Sequence, residues 1–379
     1  MNVTNIFKDV VVVALLVITG CVEPYDPPAI KNAPSYLVVD GFVDATNASA
    51  VVKLSKTMGL EENLQLPVSD ATVQLEEQDG FVMNLIEHPP GTYSISEVVV
   101  DFDKKYRIKI SHENNEYASA FVEIKQTPPI EDVFWDPKPE GLEIKLNTSD
   151  PSGKSKYYRW KFEEIYEYTV PFYSGYVLKG GEVEPRALED QIYRCWRTDN
   201  STSILIGTTE DLSLDMIRNN VLLTIPRESI KITKRYSFKV QQIALTEEAY
   251  SYWLSLYKTT ENVGGLFDPM PGQVIGNITN LSDPSETVIG LFYGAKVSEH
   301  HMYIVPEDLP DDYWEYRWPY CELTNVVMEE LLLRATGTLL VSPFYVGMDT
   351  KPAGYSIANT QCLDCRVYGG VTTKPEFWP

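Results

Sequence analysis

Cys21 is the residue with the plainest chemistry. It closes the run Leu16-Val17-Ile18-Thr19-Gly20-Cys21, in which an apolar stretch gives way to small residues, then Gly, then Cys. A lipoprotein signal peptidase reads that order. Small residues let the chain lie extended in its cleft, and the thiol accepts diacylglycerol before cleavage. Met1 to Lys8 is a short polar lead with one cation, and Val10 to Ile18 is almost wholly apolar. Such a run is too short to cross a bilayer core of about 30 Å, which needs about twenty residues. It fits the core of a secretory signal. Residues 1–20 are therefore expected to be a signal peptide, with Cys21 the lipid-bearing first residue of the mature protein. Asp9 cancels Lys8 and leaves the amino terminus as the net positive charge of the signal. Acyl chains on Cys21 would anchor the protein firmly, because each buried methylene contributes about 0.8 kcal/mol.

Four cysteines remain: Cys195, Cys321, Cys362 and Cys365. An even number in an oxidising compartment points to disulfides. Three pairings are possible. A bridge between Cys362 and Cys365 would close a small loop with little entropic gain. Each of the two is instead expected to bind a distant partner, Cys195 or Cys321, stapling the carboxy-terminal segment to the body. The sharper alternative is a zinc site from Cys321, Cys362, Cys365 and His300 or His301, although there is no second Cys-x-x-Cys and export favours oxidation. His300 and His301 are adjacent, so on a strand their rings point to opposite faces and make a poor metal pair. No metal or cofactor is expected.

Enzyme motifs are wanting. None of the four histidines, His88, His112, His300 and His301, sits in a His-Glu-x-x-His helix. The chain carries no Gly-x-Ser-x-Gly elbow, Walker loop or Gly-x-Gly-x-x-Gly. Carboxylate pairs such as Glu163-Glu164, Glu329-Glu330 and Asp311-Asp312 are common in a chain this acidic. They would serve a glycosidase only by converging across a cleft. The inventory points away from an enzyme. The most suggestive binding feature is a loop between Pro310 and Tyr320 that carries Tyr313, Trp314, Tyr316, Trp318 and Tyr320. Aromatics on a loop can stack on sugar rings or on a protein partner. They can equally pack the carboxy-terminal segment onto the body near Cys321. Tyr166, Tyr168, Phe172, Tyr173 and Tyr176 form a second candidate surface.

These residues need elements to position them. A hydrophobic content of 44% supports real cores, and 24 Tyr with 7 Trp suit β-structure. The net charge of -22 should repel nucleic acid and anionic membrane surface. Residues 21–35 are Pro-rich and read as an extended tether. Residues 36–126 alternate apolar and polar, as in Val73 and Leu75 or Tyr106, Ile108 and Ile110. With turns at Pro89-Pro90-Gly91 and Asn114-Asn115, they read as a β-sandwich of immunoglobulin or transthyretin type. Thr127-Pro128-Pro129 marks the boundary. Residues 127–379 read as a larger β-rich, sandwich-like domain. Tyr158, Trp160, Phe162, Tyr166 and Tyr168 share one strand face there, and Tyr236, Phe238 and Val240 share another. One helix is expected near 247–262, capped by Thr246, with Tyr250, Trp253, Leu254 and Tyr257 as its apolar stripe and Gly264-Gly265 as its stop. A shorter helix is expected from Asn325 to Arg334, capped by Thr324. Phe377-Trp378 is expected to dock onto the body beside a disulfide.

Two stretches carry a resemblance. The first is Tyr252-Trp253, Gly264-Gly265-Leu266-Phe267-Asp268-Pro269-Met270-Pro271, Gly276-Asn277-Ile278 and Val288-Ile289-Gly290-Leu291-Phe292. The second is Cys362-Leu363-Asp364-Cys365-Arg366, Gly369-Gly370, Lys374-Pro375 and Phe377-Trp378. With the lipoprotein signal and the Pro-rich start, they resemble the domain-of-unknown-function family 4249 of Bacteroidota. The resemblance implies an outer-membrane lipoprotein, typically encoded beside a TonB-dependent receptor, and no established activity. The expectation is a non-catalytic accessory or ligand-capture partner of such a receptor, held to the membrane by its lipid. An independent cell-surface glycan- or peptide-binding lipoprotein is the alternative, and a hydrolase a third. Glu23 and Asp26 resemble acidic stretches that direct some lipoproteins to the cell surface, with the periplasmic face the other possibility.

Overall fold

Alternation of apolar and polar residues turns most of the chain into paired strands. The computed structural model describes residues 35–57, 66–260, 274, 276–334 and 337–379. The expectations for the signal, Cys21, the tether and Gly264 to Pro271 lie outside the described residues. No described helix is long and apolar enough to cross a membrane.

The protein is mainly β. Strand Leu37–Asp44 pairs antiparallel with Ser49–Lys56, in register Val39 to Leu54 and Val43 to Ala50. Strand Thr72–Glu77 pairs with Lys105–His112, in register Val73 to Ile110 and Leu75 to Ile108. These inward side chains, with Tyr93, Tyr106 and Phe292, form the core of the first sandwich. One wall comes from far along the chain. Strand Ile289–Lys296 inserts parallel between Leu37–Asp44 and Val122–Gln126. Ile278–Asn280 adds to Asn115–Ser119. The first sandwich therefore takes in strands from beyond Thr127-Pro128-Pro129.

The second sandwich faces a sheet of Ile130–Pro137, Gly141–Ser149 and Met216–Pro226 against one built on Tyr157–Thr169 and Arg235–Leu245. Tyr158, Trp160, Phe162, Tyr166 and Tyr168 all lie inward on one 13-residue strand, opposite Leu142, Ile144 and Leu146. The Pro128 carbonyl accepts from Gln242 Nε2 at 3.0 Å, and Thr127 Oγ1 accepts from Ala244 N at 2.9 Å, so the linker is pinned to this sandwich.

Helix Glu247–Thr260 sits in the corner between the sandwiches. The Thr246 hydroxyl accepts from Ala249 N at 3.2 Å, capping the first turn. Ala249 and Trp253 are its buried residues, flanked by Tyr250, Tyr252 and Leu256. The buried face is thus rotated from the expected Leu254 and Tyr257. The helix takes contacts from two sides: Tyr250 stacks on Tyr157, and Trp253 meets the edge of Tyr293.

The carboxy-terminal region adds two small sheets. One joins Tyr176–Lys179, Glu182–Pro185 and Leu339–Leu340, and the other Thr324–Val327, Gly354–Ile357 and Pro343–Phe344. They share a core of Val326, Leu331, Leu340 and Tyr355. The expected helix from Asn325 to Arg334 is corrected here. Thr324–Val327 is a strand paired with Gly354–Ile357, and only Met328–Leu331 is helical. Thr324, Val326 and Val327 are β-branched and find a partner strand, which outweighs the helical tendency of the residues after them.

Candidate functional site

The cysteines settle first. Cys195 pairs with Cys365, and Cys321 with Cys362. Both tail cysteines bind distant partners, so the tail is stapled as expected. The same bridges consume the thiolates that zinc would need, which removes the zinc alternative. Cys195 lies opposite Tyr168 in the sheet, and the Tyr168 hydroxyl donates to the Cys365 carbonyl at 2.9 Å. Beyond the bridge, Val371 and Trp196 exchange two backbone hydrogen bonds of 2.8 Å. Gly370 makes this approach possible, because a Cβ there would lie 2.4 Å from the Tyr168 hydroxyl. Trp378 then buries itself against Ile165 and Trp196 and donates to Glu167 at 2.8 Å.

The aromatic loop is mostly part of that packing. The Tyr313 hydroxyl bonds the backbone N and O of Lys138, and Arg227 lies over its ring. Trp314 donates to the Ser229 carbonyl at 3.0 Å. Trp318 packs between Tyr316 and Tyr368. Tyr313, Trp314 and Trp318 all lean on the second core. Tyr320 alone stands out at 82% exposed. The five do not form one open stacking surface, because each ring before Pro319 has a neighbour that claims its face or polar edge. In the second candidate surface, Tyr166 and Tyr168 are core residues, whereas Tyr173 is half-exposed.

Histidines and carboxylates also disperse. His301 meets the Ser237 hydroxyl at 2.7 Å, and burial pushes its pKa down. His300 faces the other side of the same strand, as adjacency requires. Glu163 points outward and Glu164 inward, so that pair does not converge. Glu164 is buried, accepting from Tyr236 at 2.7 Å and from Lys231 at 2.7 Å.

A concave site lies between the sandwiches. A cavity of about 470 Å³ is bounded by Val122–Gln126, the 153–157 segment, the start of helix Glu247–Thr260 and strand Ile289–Lys296. Asn277 builds its back wall: its side-chain amide donates to the Phe292 carbonyl at 2.7 Å and accepts from Phe292 N at 2.8 Å. Gly290, at φ +139°, lets the inserted strand lie against Val39, whose carbonyl oxygen would stand 1.9 Å from a Cβ. Gly276 in turn rests on the Gly290 carbonyl. Gly276-Asn277 and Gly290-Leu291-Phe292, singled out in the sequence, thus seat one strand.

Four cations, Lys105, Lys125, Lys154 and Lys156, and three carboxylates, Glu123, Glu247 and Glu248, line this cavity. Lys125 is taken by Glu123 at 3.1 Å. Lys105, Lys154 and Lys156 pair with no described carboxylate. Asp150 fixes the lysine-bearing loop by accepting from Ser152 N, Ser152 Oγ, Lys154 N and Ser155 N. Tyr157 closes the floor; a hydrogen bond to Glu210 and then burial push its pKa up to about 12, so it stays a neutral donor. The arrangement can hold a polar ligand with anionic groups. Alternation on Tyr157–Thr169 was the signal that could have found part of this region, since it sends Tyr157 and Arg159 away from the core.

No curated protein matches the chain. A family model, Domain of unknown function (DUF4249), matches residues 22–301, roughly three quarters of the sequence. The match takes in Gly276-Asn277 and Gly290-Leu291-Phe292 and stops before the stapled tail. The chain therefore belongs to the DUF4249 family.

Proposed function

We propose that this protein is an exported outer-membrane lipoprotein, anchored through Cys21, that serves as a non-catalytic accessory of a TonB-dependent receptor. The observation that carries the docking half of this reading is an apolar tip on the carboxy-terminal region. Tyr345, Val346 and Met348 lie in the turn between Pro343–Phe344 and Gly354–Ile357, and all are exposed, Met348 fully. Leu332 and Leu333 follow helix Met328–Leu331, whose first N–H bonds the Ala353 carbonyl at the base of that turn. Soluble proteins seldom leave such side chains together in water without a partner to cover them. Lipid tethering raises the effective concentration at the membrane, so modest direct affinity suffices. The test is a pull-down of tagged, lipidated protein from membranes in mild detergent. A stoichiometric TonB-dependent barrel is expected. Protein that emerges alone, under conditions where known barrel complexes survive, removes this reading.

The cavity between the sandwiches favours a second reading, an independent cell-surface binding lipoprotein for a glycan or peptide. Unpaired lysines facing a concave space in a chain of net charge -22 suit a ligand with acidic groups. Such a protein would keep its ligand affinity when purified without any barrel.

A further inference from the structure

A second concavity opens at the other end of helix Glu247–Thr260. It measures about 420 Å³ and is bounded by Arg159, Lys161, the Ser201–Ile204 loop, Trp253, Leu256 and Thr260. Its two charged side chains, Arg159 and Lys161, are both cations. Arg159 stacks on Trp253, 3.4 Å from the ring centroid, and gives Nη1 to the Tyr293 hydroxyl at 2.6 Å. Its Nε is buried with no acceptor among the described residues, and so is Trp253 Nε1. Lys161 stands two residues along the same strand face, 5.7 Å from the Phe42 ring, with no ion pair to any described residue. Thr202 and Ser203 present exposed hydroxyls at the rim. Buried donors are normally satisfied. Here two cationic side chains line one groove whose described residues include no carboxylate.

We infer that this groove binds a small oxyanion, a phosphate or a carboxylate, held between the side chains of Arg159 and Lys161. An oxygen placed there would meet the Lys161 ammonium beside the Arg159 guanidinium, a charge-assisted contact. The surroundings of Lys161 fit this. Burial first, then the neighbouring Arg159 and Lys53, hold its pKa down at about 8, against an upward pull from Asp40. Glu163 follows on its own strand, and Lys239 lines the adjoining recess. A bound anion favours the charged ammonium, so affinity falls as pH rises through about 8. The site stands independently of receptor docking, because it is assayed on the purified chain alone.

The test is calorimetric titration of the full chain with inorganic phosphate and, separately, with succinate. One of the two is expected to bind, and which one binds assigns the oxyanion. Lys161→Gln is expected to weaken binding about tenfold or more, the order expected for losing one charge-assisted hydrogen bond. Lys161→Arg should keep binding and lose the pH dependence near 8. Thr202→Ala, at an exposed rim position, keeps the fold and should weaken binding a few-fold. The inference is overturned if neither anion binds, or if Lys161→Gln binds as the wild type does.

Discussion

Glu164 is carried into the second core by simple alternation, on the same strand face as Trp160, Phe162 and Tyr166. Its charge is met by Lys231 at 2.7 Å and by the Tyr236 hydroxyl. Replacing Lys231 by Met leaves a buried carboxylate without its cation. It should cost roughly 3 kcal/mol, because breaking a buried pair from one side strands the other charge. Urea denaturation measures it, and a loss below about 1 kcal/mol, the level of an exposed pair, would show that the pair is solvated. Asp150 behaves differently. Burial raises its pKa, but hydrogen bonds from Ser152 and Ser155 outweigh that and leave it lowered. A lowered folded pKa gives stability that is present above the unfolded value of about 3.9 and lost as pH falls through the folded one. Asp150→Asn should therefore lose roughly 1–3 kcal/mol at neutral pH and converge on the wild type in acid. Unfolding midpoints across pH check this. Both residues were legible in part. Alternation locates Glu164 inward, and Asp150-Pro151-Ser152-Gly153 is a turn by composition. The partner of Glu164 was not legible, since Lys231 reaches it through the fold, whereas the donors to Asp150 sit in its own turn.

Strands and staples carry the long-range order. Ile289–Lys296 pairs parallel with Leu37–Asp44 from the far side of the second sandwich. A local alternation pattern states that a segment is a strand and says nothing about a partner so distant, so this insertion was invisible in the sequence. Its glycines were visible as unusual residues without a role. Gly290→Ala places a methyl against the Val39 carbonyl and asks an L-residue to hold φ +139°. The expected result is loss of folded protein, read as loss of soluble expression and of cooperative melting; a melt like the wild type's would contradict the seating of this strand. The tail was more legible. Loop entropy argued that Cys362 and Cys365 each seek a distant partner, and they do. Cys195→Ser with Cys365→Ser should cost roughly 2–5 kcal/mol. It should also expose Trp378, measured as increased fluorescence quenching by iodide. Unchanged quenching would mean that Trp378 holds the tail without the bridge. The misread segment was Asn325 to Arg334. Its acidic and leucine-rich end suggested a helix, but the β-branched start is claimed by Gly354–Ile357.

In the whole molecule, one strand from far along the chain completes the first sandwich, a helix sits between the two sandwiches, and a stapled third region presents an apolar tip. Class and helix position followed from periodicity. The candidate cavities did not, because each is assembled from segments distant in the chain. The aromatic loop drew attention through composition, yet its rings serve the interior. In the proposed role, the apolar tip meets a TonB-dependent receptor. The most direct measurement places a photo-crosslinking residue at Met348 in living cells, with Val99, 88% exposed on the first sandwich, as the control position. A crosslink from Met348 to a TonB-dependent barrel is expected, and none from Val99. No barrel at Met348, or equal capture from both positions, would contradict that role.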